Sequence, residues 1–350
     1  MNLRAHLLAG QVIPALPLAL DRNRRFSEKH QRALTRYYLD AGVGGLAVGV
    51  HSTQFAIRDP QHALFRPVLE LAAETAATWR GAAPRDLAMI AGICGRTPQA
   101  IAEAELAHAF GYHAGLVSMA AFKDDPEEAV LAHLDAVAKI IPVVGFYLQP
   151  AVGGRVFSYT FWRRFADIPG LVAIKIAPFN RYQTIDVVRA VAESGREDVA
   201  LYTGNDDTIV TDLLTPFPYG PANTRGPRRI VGGLLGHWGV WTHAAVRLFA
   251  EIRAQVASGT PASLDAWMAR AAAVTDMNAA VFDAANRFHG CIPGILEVLR
   301  RQGLVETHLC LNPAETLSPG QAAELDRVSA AYPDLVDDAF VAAHRDRWLA

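Results

Sequence analysis

Lys175 stands in the run Leu171-Val172-Ala173-Ile174-Lys175-Ile176-Ala177-Pro178, an otherwise apolar stretch with a single cation near its end. Residues 171–176 have the length and β-branched content of a strand buried on both faces. An ammonium in such a place is costly unless it is paired or gives up its proton. A neutral amine there is a nucleophile toward carbonyl compounds, and the product is an imine. For an isolated strand the competing reading is a lysine that snorkels from the strand end into water. Tyr147, in Gly145-Phe146-Tyr147-Leu148-Gln149-Pro150, is the second reactive group. With a period of two, Val143, Gly145 and Tyr147 share one face, as do Leu171, Ala173 and Lys175. If both sets face inward on adjacent strands, roughly 4.8 Å apart, phenol and amine reach one substrate. The phenol then moves protons while the amine forms the imine.

Three further segments carry polar groups suited to holding a substrate. Gly49-Val50-His51-Ser52-Thr53-Gln54 places a glycine before small hydroxyl residues, a pattern that binds carboxylates through N–H groups and hydroxyls. An ordinary turn with Ser/Thr chemistry is the competing reading. Thr203-Gly204-Asn205-Asp206-Asp207 ends another apolar run, and Asp206 or Asp207 is expected to cap the helix that follows. Gly232-Gly233-Leu234-Leu235-Gly236-His237-Trp238-Gly239 forms a glycine-rich lip in which His237 is either an acid/base group or a structural histidine.

These segments must be positioned by a repeating frame. Candidate buried strands begin near residues 11, 45, 88, 114, 143, 171, 199 and 230. Helical patterns separate them, among them 27–42, 59–80, 97–111, 126–141, 159–165 and 184–195. Ser27 and Thr97 read as N-caps, and Gly111 and Gly195 as terminators. Eight strands alternating with helices predict a parallel sheet closed into an α/β, (β/α)8 TIM barrel over residues 1–258. From residue 259 to 350 the alternation stops, and a C-terminal helical region is expected, with helices near 262–289, 292–302, 319–331 and from 335 onward. No glycine-rich dinucleotide turn follows the first strand, which carries Pro14 and Pro17 instead.

Composition narrows the function. Of 350 residues 51% are hydrophobic and 19% charged, as in a soluble protein with a large core, and the formal net charge of −2 favours neither nucleic acid nor anionic membrane. The basic cluster Arg225, Arg228 and Arg229 is short and lacks interleaved aromatics. No run has the length of a membrane span, and the opening segment lacks the pattern of a signal peptide, so a cytoplasmic chain is expected. Cys94, Cys291 and Cys310 have no metal or disulfide spacing, and no HxH follows the first strand. Neither metal nor cofactor is expected.

The chain resembles the dihydrodipicolinate synthase/N-acetylneuraminate lyase family of pyruvate-type class I aldolases. The likeness rests on Phe146-Tyr147-Leu148-Gln149-Pro150, Gly170-Leu171-Val172-Ala173-Ile174-Lys175, Thr203-Gly204-Asn205-Asp206-Asp207, the opening Gly10-Val12-Ile13-Pro14-Ala15-Leu16, and Pro293, Leu299 and Gly303 in the tail. It implies an eight-stranded barrel, an imine between Lys175 and a 2-oxo acid, and Tyr147 as proton relay. It further implies a substrate carboxylate at Ser52 and Thr53, with His51, Gly204 and His237 around the substrate, and a homo-oligomer, dimer or tetramer. Departures from the family pattern matter equally. Met119-Ala120-Ala121-Phe122 stands where the synthase branch carries a tyrosine pair. Ala151-Val152-Gly153 replaces the segment with its arginine, with Arg155 out of register, and Ile176 follows the lysine. A 2-oxo acid aldolase or dehydratase outside lysine biosynthesis is therefore expected, with an acceptor pocket shaped by Phe122, Phe179, His237 and Trp238. Two alternatives stay open: a barrel that binds 2-oxo acids as a regulatory protein, and a metal-dependent barrel hydrolase.

Overall fold

The computed structural model describes residues 1–79, 86–220, 227–260 and 263–350. Three expected features fall outside them: Arg80 at a helix end, Arg225 of the basic cluster, and residues 261–262 before the tail. The strands are β1 (Val12–Pro14), β2 (Gly45–Val48), β3 (Ala88–Ile93), β4 (Ala114–Val117), β5 (Val143–Leu148), β6 (Leu171–Ala177), β7 (Ala200–Thr203) and β8 (Gly232–Leu235). They form one parallel sheet in the order β1-β8-β7-β6-β5-β4-β3-β2, and with the intervening helices make the expected (β/α)8 barrel. Helices also follow residue 258. Among the described residues no helix is long and apolar enough to cross a membrane. Two compact units divide the chain: Met1–Gln11 with Asp86–Leu234, and Val12–Arg85 with Leu235–Ala350.

In the first unit the central strands are buried almost throughout, as their apolar runs require. The helix Leu3–Leu8 sits at the amino ends of β6 and β7. Arg4 donates to the Leu171 and Pro169 carbonyls at 2.9 and 2.6 Å and pairs with Asp198 at 2.6 Å. The Tyr202 hydroxyl donates to the Leu7 carbonyl at 2.8 Å from the interior of the sheet. The decisive local feature is an irregularity in the β5–β6 pairing. Val143 pairs with Leu171, but Val144 pairs with Ala173, so Val172 has no partner and the register slips by one. Beyond it Gly145 lies beside Ile174, Phe146 beside Lys175, and Tyr147 beside Ile176. A one-residue slip exchanges the faces of a strand. The expectation that Tyr147 and Lys175 share a face is therefore corrected: Phe146 takes that place. Gly145 shows the same turn, because a Cβ there would lie 2.4 Å from the Phe165 ring on the helix Tyr159–Phe165. The glycine leaves room for an outer helix, not for a substrate.

In the second unit the helix Glu28–Ala41 packs against the terminal helix Asp338–Leu349. Asp40 accepts from the indole nitrogens of Trp79 and Trp348 at 2.8 and 2.7 Å. Buried Asp337 accepts from the Tyr37 hydroxyl at 2.7 Å, the His243 amide at 2.9 Å and Gln302 at 2.8 Å. Tyr37 in turn accepts from the Thr242 amide at 2.7 Å, which fixes the start of the helix Thr242–Ser258. Ser27 is the expected N-cap residue of Glu28–Ala41, though its hydroxyl meets His30 at 2.8 Å instead of a backbone amide.

Candidate active site

Lys175 lies one residue pair before the carboxyl end of β6. Its side chain is surrounded by protein but still partly reached by solvent. Its Nζ stands 4.5 Å from the centre of the Phe146 ring. On the other flank is Gly204, whose amide donates to Ile176 at 2.7 Å. A Cβ on Gly204 would fall 2.7 Å from Lys175 Cε and 2.8 Å from Ala177 Cβ, so only glycine lets the lysine stem pass. Burial pulls the Lys175 ammonium down to about 8, while the carboxylate of Asp206 acts in the opposite sense. The aromatic face also favours the charged form. Desolvation wins, and the Lys175 ammonium gives up its proton more readily than an exposed lysine does.

The loop that follows β7 is held from outside the barrel. Asn205 donates through Nδ2 to Thr184 and Asp212, both at 3.1 Å, and accepts from the Phe179 amide at 3.0 Å. The Thr203 hydroxyl donates to Asp212 at 2.7 Å, and Arg181 pairs with the same carboxylate. Every arm of Asn205 is thus fixed, and the next residue, Asp206, is set on the lysine side by a rigid neighbour. Thr208, not Asp206 or Asp207, is the N-cap of the helix Ile209–Leu214.

Tyr147 is turned toward the helices. Its ring lies 4.7 Å from Trp162 and 6.2 Å from Phe157, within a cluster that includes Phe161 and Phe165. Its hydroxyl accepts from the Phe157 amide at 3.4 Å, and burial raises the phenol to about 12. The charged groups acting on it, Asp186 and Glu127, belong to the outer helices. Of the residues singled out from the sequence, Lys175 and Gly204 meet and Tyr147 faces away. Phe122, one of the pocket residues expected from the sequence, packs on His133 at 4.5 Å with Arg96 4.7 Å from its ring.

His51, Ser52, Thr53 and His237 belong to the second unit. The β2 loop turns back on its own strands. Ser52 Oγ donates to the Ala15 carbonyl at 2.9 Å and Thr53 Oγ1 to Leu16 at 2.6 Å. Thr53 Oγ1 also accepts from the amides of Gly49 and Val50 at 3.0 and 3.2 Å. Each hydroxyl has one proton, and in this arrangement both are committed to backbone. His51 packs on Phe55 at 5.9 Å. Burial holds the His237 imidazolium down to about 4, so the ring is neutral, with a hydrogen bond to Asn278. Trp238 packs edge-on against Phe249 at 5.7 Å, as a core residue.

Sequence reasoning missed Phe146 and Asp206 as the groups beside the lysine. Phe146 was legible only as a neighbour of Tyr147, and Asp206 resembled a helix cap. The aromatic density of Tyr159–Phe165 (YTFWRRF) was the available signal, since such a helix needs a strand face of its own to cover.

A parallel eight-stranded barrel with a lysine in its wall defines a class of proteins, and residues 8–216 match one group within it, the dihydrodipicolinate synthetase family. The chain belongs to that family. Over 209 residues it is 25% identical to the 4-hydroxy-tetrahydrodipicolinate synthase of Synechococcus elongatus, a match covering 59% of this chain and 65% of that protein. The chain therefore spans slightly under two thirds of the length of the curated relatives it matches first. Dihydrodipicolinate synthase from Acinetobacter baumannii, solved in complex with pyruvate, superposes with a TM-score of 0.72 at 17% identity, covering 93% of this chain and 99% of that one. N-acetylneuraminate lyase from Fusobacterium nucleatum, also complexed with pyruvate, gives 0.71 at 15% identity, with coverages of 95% and 99%. At these identities the likeness establishes the fold.

Proposed function

We propose that the chain is a Schiff-base-forming lyase acting on a 2-oxo acid, of aldolase or dehydratase type. The observation that carries this reading is the Lys175 amine, kept partly neutral by burial between Phe146 and Gly204 on the carboxyl side of β6. Membership of a family whose relatives are named as synthases and lyases, two of them solved with pyruvate, supports it. With the amine titrating near 8, roughly a tenth of it is free base at pH 7. The free amine adds to the C2 carbonyl, water leaves, and the resulting iminium withdraws electrons from the adjacent carbon. That withdrawal labilises a C3 proton, a C3–C4 bond or a leaving group further along the chain.

In this reading Asp206 is the proton-handling group on the amine's side, and Tyr147 has a packing role. The carboxylate steadies the ammonium and, in turn, the iminium. The lysine-biosynthetic reaction is disfavoured, because Met119-Ala120-Ala121-Phe122 and Ala151-Val152-Gly153 supply neither the tyrosine pair nor the arginine of the synthase branch. A soluble homo-oligomer is part of the same proposal. The test is a crystal soaked with pyruvate. Continuous density from Lys175 Nζ to C2 of the ligand is expected. Density for intact pyruvate elsewhere, with the amine free, would refute the reading.

A further inference from the structure

The register that sets Phe146 beside Lys175 also sets Leu148 beside Ala177. Residues paired across neighbouring strands share a face, so these four lie on one side of the wall. Gly204 joins them from β7, since a Cβ there would meet both Lys175 and Ala177. Apart from the amine, no side chain of this patch carries a polar atom. Lys175 and Leu148 are half-buried, and Phe146 keeps 6% of its surface open. The patch is thus reached by solvent at the amine.

The cations of the neighbouring loops are turned elsewhere. Arg155, after β5, donates to the carbonyls of Phe122 and Asp125 at 2.8 and 2.6 Å. Arg96, after β3, pairs with Asp125 at 2.8 Å, and Arg181, after β6, pairs with buried Asp212. Lys123, after β4, is exposed, where pairing with an anion is worth little.

An imine on Lys175 has its carbon one bond beyond Nζ, and Nζ stands over the Phe146 ring, 4.5 Å from its centre. That carbon carries two substituents on opposite sides, the C1 carboxylate and the C3 chain. The face of a phenyl ring is the negative side of its quadrupole and repels a carboxylate. The C3 chain therefore takes the ring side and runs along Phe146 and Leu148. We infer that Phe146 is a specificity-determining residue, selecting 2-oxo acids whose chain beyond C3 is apolar, with an aryl end favoured over an alkyl one. An apolar chain leaves water against Phe146 and Leu148, and an aryl end adds offset stacking on the ring. A terminal carboxylate loses hydration there and finds no cation in return. The inference rests on the lyase reading above.

The test is borohydride trapping on the whole chain with pyruvate, 2-oxopentanoate, 2-oxoglutarate and 4-phenyl-2-oxobutanoate. The second and third have the same chain length and differ in the terminal carboxylate. The readout is the concentration that gives half-maximal adduct on Lys175 by mass spectrometry. For 2-oxopentanoate it is expected to lie about tenfold or more below that for 2-oxoglutarate, and for 4-phenyl-2-oxobutanoate lower still. In Phe146→Ala each acid is scored against pyruvate in the same variant, so that any change in the amine itself cancels. The gap between 2-oxopentanoate and 2-oxoglutarate is then expected to shrink to about threefold or less. Phe146→Leu is expected to keep the preference for alkyl over anionic chains and to lose that for aryl over alkyl, with thermal melting as the control for folding. Trapping of 2-oxoglutarate as readily as 2-oxopentanoate would overturn the inference, as would preferences unmoved by Phe146→Ala. An adduct with pyruvate alone would sink this inference and leave the lyase reading standing. No adduct with any of the four would remove the lyase reading and this inference with it.

Discussion

Lys175 is governed by influences of opposite sign. Burial favours the free amine, while Asp206 and the Phe146 ring favour the ammonium. Three predictions belong at this scale. The rate of imine formation at saturating pyruvate should rise with pH through about 8 and then level, and in Asp206→Asn the inflection should move to lower pH, because the group that stabilises the cation is gone. Stopped-flow rates across pH read both; an unmoved inflection would remove Asp206 from the account. Tyr147→Phe loses one long hydrogen bond from Phe157. It should cost about 1 kcal/mol of stability or less. Imine formation should stay within about threefold of the parent, where a relay would cost on the order of a hundredfold. The lysine was legible in the sequence because a single cation in a buried run has few explanations. The direction of Tyr147 was not. Counting by twos from the pair Val143–Leu171 aligns it with Lys175, and only the unpaired Val172, invisible to composition or period, redirects it.

Among the elements, β6, β7 and the loop between β7 and the helix Ile209–Leu214 carry the site. Gly204 is the residue on which the lysine's path depends. Gly204→Ala would set a methyl 2.7 Å from Lys175 Cε, and since the strand is buried on both sides the lysine must move. The fold should survive, with imine formation reduced at least about tenfold, measured beside an unchanged circular dichroism spectrum. Asp212 supports the same loop through Thr203, Asn205 and Arg181. Asp212→Ala leaves the Thr203 hydroxyl without its acceptor and takes one acceptor each from Asn205 and Arg181, which keep Thr184 and Thr215, and should cost about 2–4 kcal/mol in urea denaturation. A loss under about 0.5 kcal/mol would show that the loop is held by other contacts. The strands and most helices were legible because most apolar runs end near a glycine, a proline or a capping residue. The bracing of the β7 loop was not, because Thr184, Asn205 and Asp212 are ordinary polar residues until the fold brings them together.

For the whole molecule, the tail is more than a set of appended helices: Val12–Arg85 and Leu235–Ala350 form one compact unit. Within it Glu297, 6% exposed, meets Arg300 at 2.7 Å, Arg301 at 2.9 Å and His308 at 2.9 Å. Burial alone would raise this carboxyl, but those bonds outweigh it and hold it at about 2. A folded value below the ordinary 4.5 means that Glu297 contributes stability above that pH, and loses it as pH falls through the window down to about 2. Glu297→Gln should therefore flatten the decline of chemical-denaturation stability across that window; an unchanged acid limb would place the acid sensitivity elsewhere. The existence of tail helices was legible from their periodicity. Their attachment through Asp40 and Asp337 was not, since partners some 300 positions apart leave no local mark in the chain.

The claim that everything else serves is that the Lys175 amine adds to the carbonyl of a 2-oxo acid. Borohydride reduction in the presence of pyruvate, followed by peptide mass mapping, tests it directly. The account predicts a reduced pyruvyl group on the peptide containing Lys175, absent from Lys175→Arg and absent without pyruvate. An unmodified lysine after reduction with pyruvate and a panel of longer 2-oxo acids, or a modification on another residue, would contradict it.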